Sequence, residues 1–415
     1  MPNTRTTVPR FLIPNATSIK NPGDRVMLHS LLRLIKRAHP ESKIAIHSVD
    51  PHLYVDSRFK AKQTLHSWAV FDQKNRFWSL FRVVELICVY FAVKYSISLR
   101  FIDTELKRLV DDYEQADCIV FVGGGYLHAK KGFTQSINLL LQVFLLEFAS
   151  LYRVKKIISP ISVGPFGYKW QEKLVFHVLS KMDIVALREE YSFHVARSYG
   201  LVNCVESSDH AFLFEPDKKK KSSTKVSKKR VIGFTIRPWL KQAEEERLLQ
   251  AVVYALAELS KDGIYVVLPI VQVNAPEYGE DDKNITATIV EMLRQKGIKT
   301  RPTAYISSLE DIRDVYGGID ILIGMRMHSN IFAATLGTPF VAISYEHKTE
   351  GISKQLEMDP YCISCYAIDG EILFERIQQV LRKRQSIYRN LLAITQKIQK
   401  RESFFWTKVF QSEAV

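Results

Sequence analysis

Arg326 and His328 lie two residues apart in GMRMHSNIFAATLGTPFVAISYEHKTEG, Gly324 to Gly351, and this pairing suits chemistry on an anion. A guanidinium holds a carboxylate or phosphate through two hydrogen bonds, and an imidazole moves protons near neutral pH. Ser329 and Asn330 follow at once, and Tyr345, His347 and Lys348 come at the end of the next apolar run. A solitary strand-end histidine is usually structural. In this company, His328 is the candidate acid or base and Arg326 the candidate anion holder.

Other signals are weaker when taken singly. Gly123, Gly124 and Gly125 in FVGGGYLH follow an apolar run and would let backbone approach a phosphate or sugar. A tight strand-to-helix turn accounts for any one of these glycines but is strained by three. The segment matches neither GxGxxG nor GxxxxGK[ST], which disfavours a dinucleotide cofactor and a phosphate loop. In NPGDR, Asn21 to Arg25, Asp24 reads either as a substrate contact or as a helix N-cap. Ser162 stands in the turn-forming SVGPFG. Arg188 ends DIVALRE, where it either grips an anion or pairs with Glu189 or Glu190.

These groups stand at the ends of short apolar runs, most of them followed by helical patterns, which is how a parallel sheet covered by helices is written. RFLIPNA, KIAIHSV, DCIVFVGGG, KKIISPISVG, DIVALRE and NCVESSD read as strands. After a lysine-rich segment the pattern restarts with KRVIGFTIRP, IYVVLPIVQ, IDILIG and PFVAIS. The expected fold is α/β, two doubly wound Rossmann-like domains facing across a cleft, with ligands collected at the carboxyl ends of the strands. The boundaries expected are 1–215 for the first domain, 216–230 for a linker or loop, 231–375 for the second domain and 376–415 for a helical tail. No repeat of 20 to 50 residues argues for a solenoid.

At 415 residues, with 47% hydrophobic and 11% aromatic composition, the chain is neither disordered nor a single small core. Its first residues offer only FLIP between Arg10 and the next polar stretch, so a cytoplasmic location is expected. Five scattered cysteines fit reduced thiols better than a disulfide framework. Cys362 and Cys365 have metal-ligand spacing but no second pair, so they are expected to pack in a strand and no metal is expected.

The net charge is +14 and the pI about 9.4. Much of the excess lies in EPDKKKKSSTKVSKKR, which lacks interleaved aromatics, so nucleic acid is disfavoured and an anionic membrane surface is a further expected contact. FWSLFRVVELICVYFAVKYSISLRF, Phe77 to Phe101, approaches membrane-spanning length but is interrupted by Arg82, Glu85 and Lys94. It reads as one or two largely buried helices, with interfacial attachment as the alternative.

NPGDR, FVGGGYLH, SVGPFG, ALREEYS, SSDHAFL and RMHSNIFAATLGTPFVAISYEHKTEG, in that order and over most of the chain, resemble the polysaccharide pyruvyl transferase family. The last segment is the most specific, with R-x-H, small residues, G-x-P and a strand ending in Y-x-x-K. The sequence departs at His210, where members often carry proline, and in its lysine-rich segment.

The resemblance implies a GT-B-like architecture with acceptor side first and donor side second. It also implies transfer of a pyruvyl unit from phosphoenolpyruvate to a glycan or lipid-linked sugar as a ketal, with no cofactor. On that reading Arg326, Arg188, Lys348 and Ser329 bind the donor and His328 is catalytic. Asp24, Gly123, Gly124, Gly125, Ser162 and Tyr345 line substrate loops. A nucleotide-sugar glycosyltransferase and a non-catalytic polyanion-binding protein remain the alternatives.

Overall fold

The computed structural model describes residues 8–54, 60–70, 76–99, 102–215 and 229–412. The chain divides into two compact units. The first comprises residues 1–19, 27–210 and 402–415, and the second 20–26 and 211–401. The first helical turn and the start of the C-terminal segment are thus counted with the second unit, and the last residues with the first, a finer division than consecutive blocks of sequence allow. The expected linker falls almost wholly outside the described residues.

In the first half of the chain, β1 (Arg10–Ala16) leads to α1 (Pro22–Ala38) and β2 (Lys43–Ser48). Next come β3 (Ala61–Gln63), α2 (Leu65–Val70), α3 (Arg76–Lys94) and α4 (Thr104–Glu114). β4 (Cys118–Phe121), β5 (Gly124–Ala129), α5 (Phe133–Ser150) and β6 (Lys155–Phe166) follow. The run ends with α6 (Lys169–Leu179), β7 (Ile184–Leu187), α7 (Glu190–Ser198) and β8 (Cys204–Glu206). The strands are all parallel in the order β3–β2–β1–β4–β6–β7–β8, with β5 also beside β6. Their near-continuous apolar burial is what a sheet covered on both faces demands, and Trp68, Tyr113, Phe121 and Phe148 fill the core around it.

The second half begins with β9 (Arg230–Thr235), α8 (Gln242–Ser260), β10 (Tyr265–Val271) and the short hairpin β11 (Asn274–Ala275) and β12 (Glu280–Asp281). It continues through α9 (Lys283–Gln295), β13 (Ala304–Tyr305), α10 (Leu309–Tyr316), β14 (Ile321–Gly324) and α11 (Met327–Thr335). β15 (Phe340–Ser344), α12 (His347–Gln355), β16 (Cys362–Ser364), α13 (Gly370–Arg382) and α14 (Arg384–Gln411) complete it. This sheet is parallel in the order β13–β10–β9–β14–β15–β16. The strand order reverses between β9 and β14, and such a switch point opens a crevice at the strands' carboxyl ends.

Several local expectations are corrected. NPGDR holds the helix start, but not with Asp24 as its cap. Asn21 caps it by accepting from the Gly23 N–H at 3.0 Å, and Pro22 opens it, so Asp24 is a first-turn acid and not the N-cap. The glycine run does not turn into a helix. Gly124 and Gly125 begin β5, which continues along the β6 edge after β4.

As far as Lys94 the long apolar stretch is a single helix, α3, and it is not largely buried. Leu86 and Val89 enter the core while Phe81, Val84, Ile87, Cys88 and Phe91 stay exposed. Cys362 does lie in a strand, β16, and Cys365 just beyond it is fully buried; burial pushes both thiols up.

Among the described residues one helix, α5, is long and apolar enough to cross a membrane. Its carboxyl half supplies core residues Leu145, Leu146, Phe148 and Ala149.

Candidate functional site

In the second unit, the central parallel strands β9, β14 and β15 end side by side, delivering Arg237, Arg326 with His328, and Tyr345 to Lys348 to one edge of the sheet. The turn after β14 is built from small side chains. Gly324 has no Cβ because one would stand 1.8 Å from Asn330 Oδ1, and the Asn330 amide donates back to the Gly324 carbonyl at 3.1 Å. Arg326 then takes extended backbone at the N-cap of α11.

His328 lies in the first turn of α11, stacked on Phe332 with ring centroids 6.2 Å apart. Against its imidazole lies Gly23, from the first turn of α1. A Cβ on residue 23 would stand 2.1 Å from His328 Nδ1. Only glycine permits this contact, and it brings the GD turn and the R-x-H turn together. An ion pair between Lys20 and Glu277 and a bond from Arg25 to the Ser307 carbonyl tie the same turn of α1 to this unit.

The structure changes the role expected of Arg326. Its guanidinium is buried and engaged: Nε and Nη2 donate to Asp282 and Nη1 to Glu280, at 2.6 to 3.1 Å. Burial opposes the arginine's charge, but the two carboxylates outweigh it and raise its pKa. Burial pushes the Asp282 carboxyl up against the pull of Arg326, whereas Arg326 and Arg237 overcome burial to hold Glu280 below the usual range. Arg326 therefore positions the α11 turn and is not a free anion holder. Ser329 is likewise committed, fully buried, with Oγ on the Arg326 carbonyl at 2.5 Å and on Thr235 Oγ1 at 2.8 Å.

Sequence reasoning missed the cation with the more open environment, Arg237. It stands just past β9 in FTIRP, flanked by Trp239 and Tyr345 with both ring centroids 4.9 Å from its Cζ. Nη1 donates to the Tyr345 hydroxyl at 3.0 Å, Glu280 lies 3.8 Å from Nη2, and Nε is buried with no hydrogen-bond partner. Its strand-end position in a second-domain strand was the available signal. Tyr345 thus braces an arginine, and Lys348 pairs with Glu346 at 2.5 Å, 5.7 Å from the Tyr345 ring.

Arg188 belongs to the first unit and lies in a sealed network. Nε donates to Ser162 Oγ and Nη1 to Asp209, both at 2.7 Å, and Glu189 is 3.7 Å away. Ser162 donates to Glu189 at 2.9 Å, and Ser192 donates to the other Glu189 oxygen at 2.5 Å. The principal partner is Asp209, in the segment carrying His210, and not a surface glutamate. Gly123 passes so close to the Pro160 carbonyl that a Cβ would stand 2.3 Å from its oxygen, and Gly124 has φ +142°. Gly123 thus answers a packing demand against β6, and Gly124 a backbone conformation that other residues rarely adopt. Asn15 clamps the same bend by bonding both the N–H and the carbonyl of Val122.

Comparison with solved structures shows fold likeness at very low identity. MnaA of S. aureus, solved with UDP, matches with a TM-score of 0.56 and 9% identity, covering 93% of this chain and 91% of that one. The UDP-GlcNAc 2-epimerase of Methanocaldococcus jannaschii matches at 0.54 and 9%, over 89% and 92%. A UDP-forming α,α-trehalose-phosphate synthase of Burkholderia xenovorans matches at 0.53 and 9%, over 98% and 99%. The fold is thus the GT-B type, with two Rossmann-like domains.

In sequence, the chain is similar to the amylovoran biosynthesis protein AmsJ of Erwinia amylovora, 26% identical over 291 residues. That match spans 65% of this chain and 66% of the relative's length. The profile of the polysaccharide pyruvyl transferase family matches residues 21–347, from the asparagine that caps α1 to the histidine that opens α12. By that match, the chain belongs to the polysaccharide pyruvyl transferase family.

Proposed function

We propose that this protein transfers a pyruvyl unit from phosphoenolpyruvate to two hydroxyls of a sugar, forming a ketal on a polysaccharide or its precursor. The observation that carries this reading is the imidazole of His328, held between Phe332 and the glycine at the head of α1, on the sheet edge that also presents Arg237. In the proposed reaction, His328 delivers a proton to the methylene carbon of the donor, which makes the neighbouring carbon electrophilic. One sugar hydroxyl adds there, phosphate leaves, and a second hydroxyl closes the ring. The two hydroxyl protons end on the new methyl group and the released phosphate.

Arg237 and Lys348 supply the cations for the donor's carboxylate and phosphate, while Arg326 holds the turn. A relative named for amylovoran biosynthesis supports a glycan-building setting, with a glycan or lipid-linked sugar as acceptor. The free cysteines, together with a donor that belongs to central metabolism, support a cytoplasmic site.

Incubation with phosphoenolpyruvate and a candidate glycan precursor should release phosphate only when the acceptor is present. The product mass should rise by one pyruvic acid less one water. A gain of hexose size from a nucleotide sugar, with no reaction from phosphoenolpyruvate, would overturn the reading.

A further inference from the structure

We propose that the exposed stripe of α3, with the amino-terminal end of α5, is a docking surface for an anionic lipid bilayer. α3 is mostly apolar, broken by Arg82 and Glu85, but its own unit covers only one side. Leu86 and Val89 are buried, with Val83, Tyr90 and Val93 packed against that core. On the other side Phe81, Val84, Cys88, Phe91 and Tyr95 follow at spacings of three and four residues and are exposed, Phe81 by 57% and Tyr95 by 64%. Ile87 and Ile97 extend the patch.

α5 lies beside this helix. The Tyr90 and Phe144 rings are 6.1 Å apart, and the Tyr90 hydroxyl donates to Glu147 at 3.2 Å. At its start α5 exposes Phe133 by 82%, together with Ile137 and Leu140. Apolar surface this concentrated marks a contact site and is not ordinary scatter.

The charge around the stripe identifies the occupant. Lys94 is exposed at the end of α3, with Nζ 5.8 Å from the Tyr90 and Tyr95 ring centroids, and exposed Lys130 and Lys131 precede Phe133. The one acid within the described stretch of α3, Glu85, is turned to the Asp103 N–H at 2.8 Å. Aromatic and aliphatic side chains rimmed by lysines match the layered chemistry of a bilayer face, with acyl chains beneath and anionic headgroups above, and a chain of net charge +14 strengthens the attraction. Cys88 lies within the stripe and serves as a probe site.

The test is sedimentation with vesicles of phosphatidylcholine alone and of equal parts phosphatidylcholine and phosphatidylglycerol. The wild type should pellet with the anionic vesicles about tenfold more than with the neutral ones, and high salt should release it. A fluorophore on Cys88 should shift to the blue on the anionic vesicles. Phe81→Ser with Ile87→Ser and Phe91→Ser should abolish pelleting yet release phosphate from phosphoenolpyruvate with a water-soluble acceptor as the wild type does. Should that triple variant fail to fold, Lys94→Glu with Lys131→Glu reads the same surface through charge alone.

Absence of pelleting by the wild type, or equal pelleting by folded variants, would overturn the proposal. Self-association lost in the triple variant without any vesicle binding would assign the stripe to a second copy instead. The vesicle result stands or falls independently of the donor chemistry.

Discussion

Arg188 and Arg326 each follow a parallel strand by one or two residues, each is buried and each faces two carboxylates, but their surroundings differ. Around Arg188, Ser162, Glu189, Ser192 and Asp209 are all buried, so every strong partner is protein and the knot is closed. Around Arg326, Asp282 is sealed but Glu280 is about a third exposed and shared with Arg237, whose Nε lacks a partner. The first arrangement suits a fixed scaffold. The second couples a buried anchor to a more open cation, and it sits where His328 also arrives. A strand-end arginine is therefore not in itself an anion site; what matters is whether its carboxylates close around it.

The strongest way to break this comparison is at His328. His328→Gln should lower turnover by roughly 10²- to 10⁴-fold with little change in the KM for phosphoenolpyruvate, whereas Arg188→Met should act mainly on stability. Steady-state kinetics on both variants would decide it, and near-wild-type turnover in the His328 variant would remove that residue from the mechanism.

The carboxylates sharpen the contrast. Asp209→Asn leaves Arg188 in a sealed network short of its main partner and should cost about 3–5 kcal/mol of unfolding free energy, read by urea titration. Asp282→Asn should cost less, because Glu280 still bonds Arg326 at 3.1 Å, whereas Glu189 stands 3.7 Å from Arg188.

Acid should act on the first unit through two buried histidines. Burial lowers the pKa of His210 and of His66 to about 4. Because those folded-state values lie below the ordinary 6.5, the unfolded chain binds more protons in between. The stability present above pH 6.5 is lost as pH falls toward 4, on the order of 3 kcal/mol for each histidine. His210→Phe, against Trp406, should flatten that slope in melting scans between pH 7 and 4.5.

Gly23→Ala should cost about 10²-fold in turnover by displacing the imidazole while leaving the melting point within a few degrees. The smallest effect belongs to Arg237→Lys, which loses the planar stack on Trp239 and Tyr345. It should raise the KM for phosphoenolpyruvate roughly tenfold with turnover kept. Equal KM values would return the anion-holding role to another cation.

The strands were readable because parallel sheets bury near-continuous apolar runs, and the Arg326 to His328 turn was readable because glycine, a polar trio and a helix start are adjacent in sequence. What the sequence hid lies far apart along the chain. Nothing local to Arg326 announces Asp282, 44 residues earlier, and nothing in NPGDR announces a ring from residue 328. A cap at Asp24 was one of two open readings because Asn and Asp compete for that place, and only the bond from the Gly23 N–H to Asn21 decides it. The exposure of α3 escaped for another reason: a helix with apolar residues on more than one side does not reveal which side its own protein covers.

The bare α-carbon of Gly23 has a stereochemical consequence. A ring pressed against the backbone of α1 cannot swing through the space that backbone fills, so a planar donor must present itself to the imidazole from the opposite side. On the proposed reaction the proton is then added to a single face of the methylene carbon. A donor labelled there stereospecifically with deuterium and tritium, reacting in ordinary water, would yield a methyl group of one handedness, and glycine 23 would be the residue that sets it.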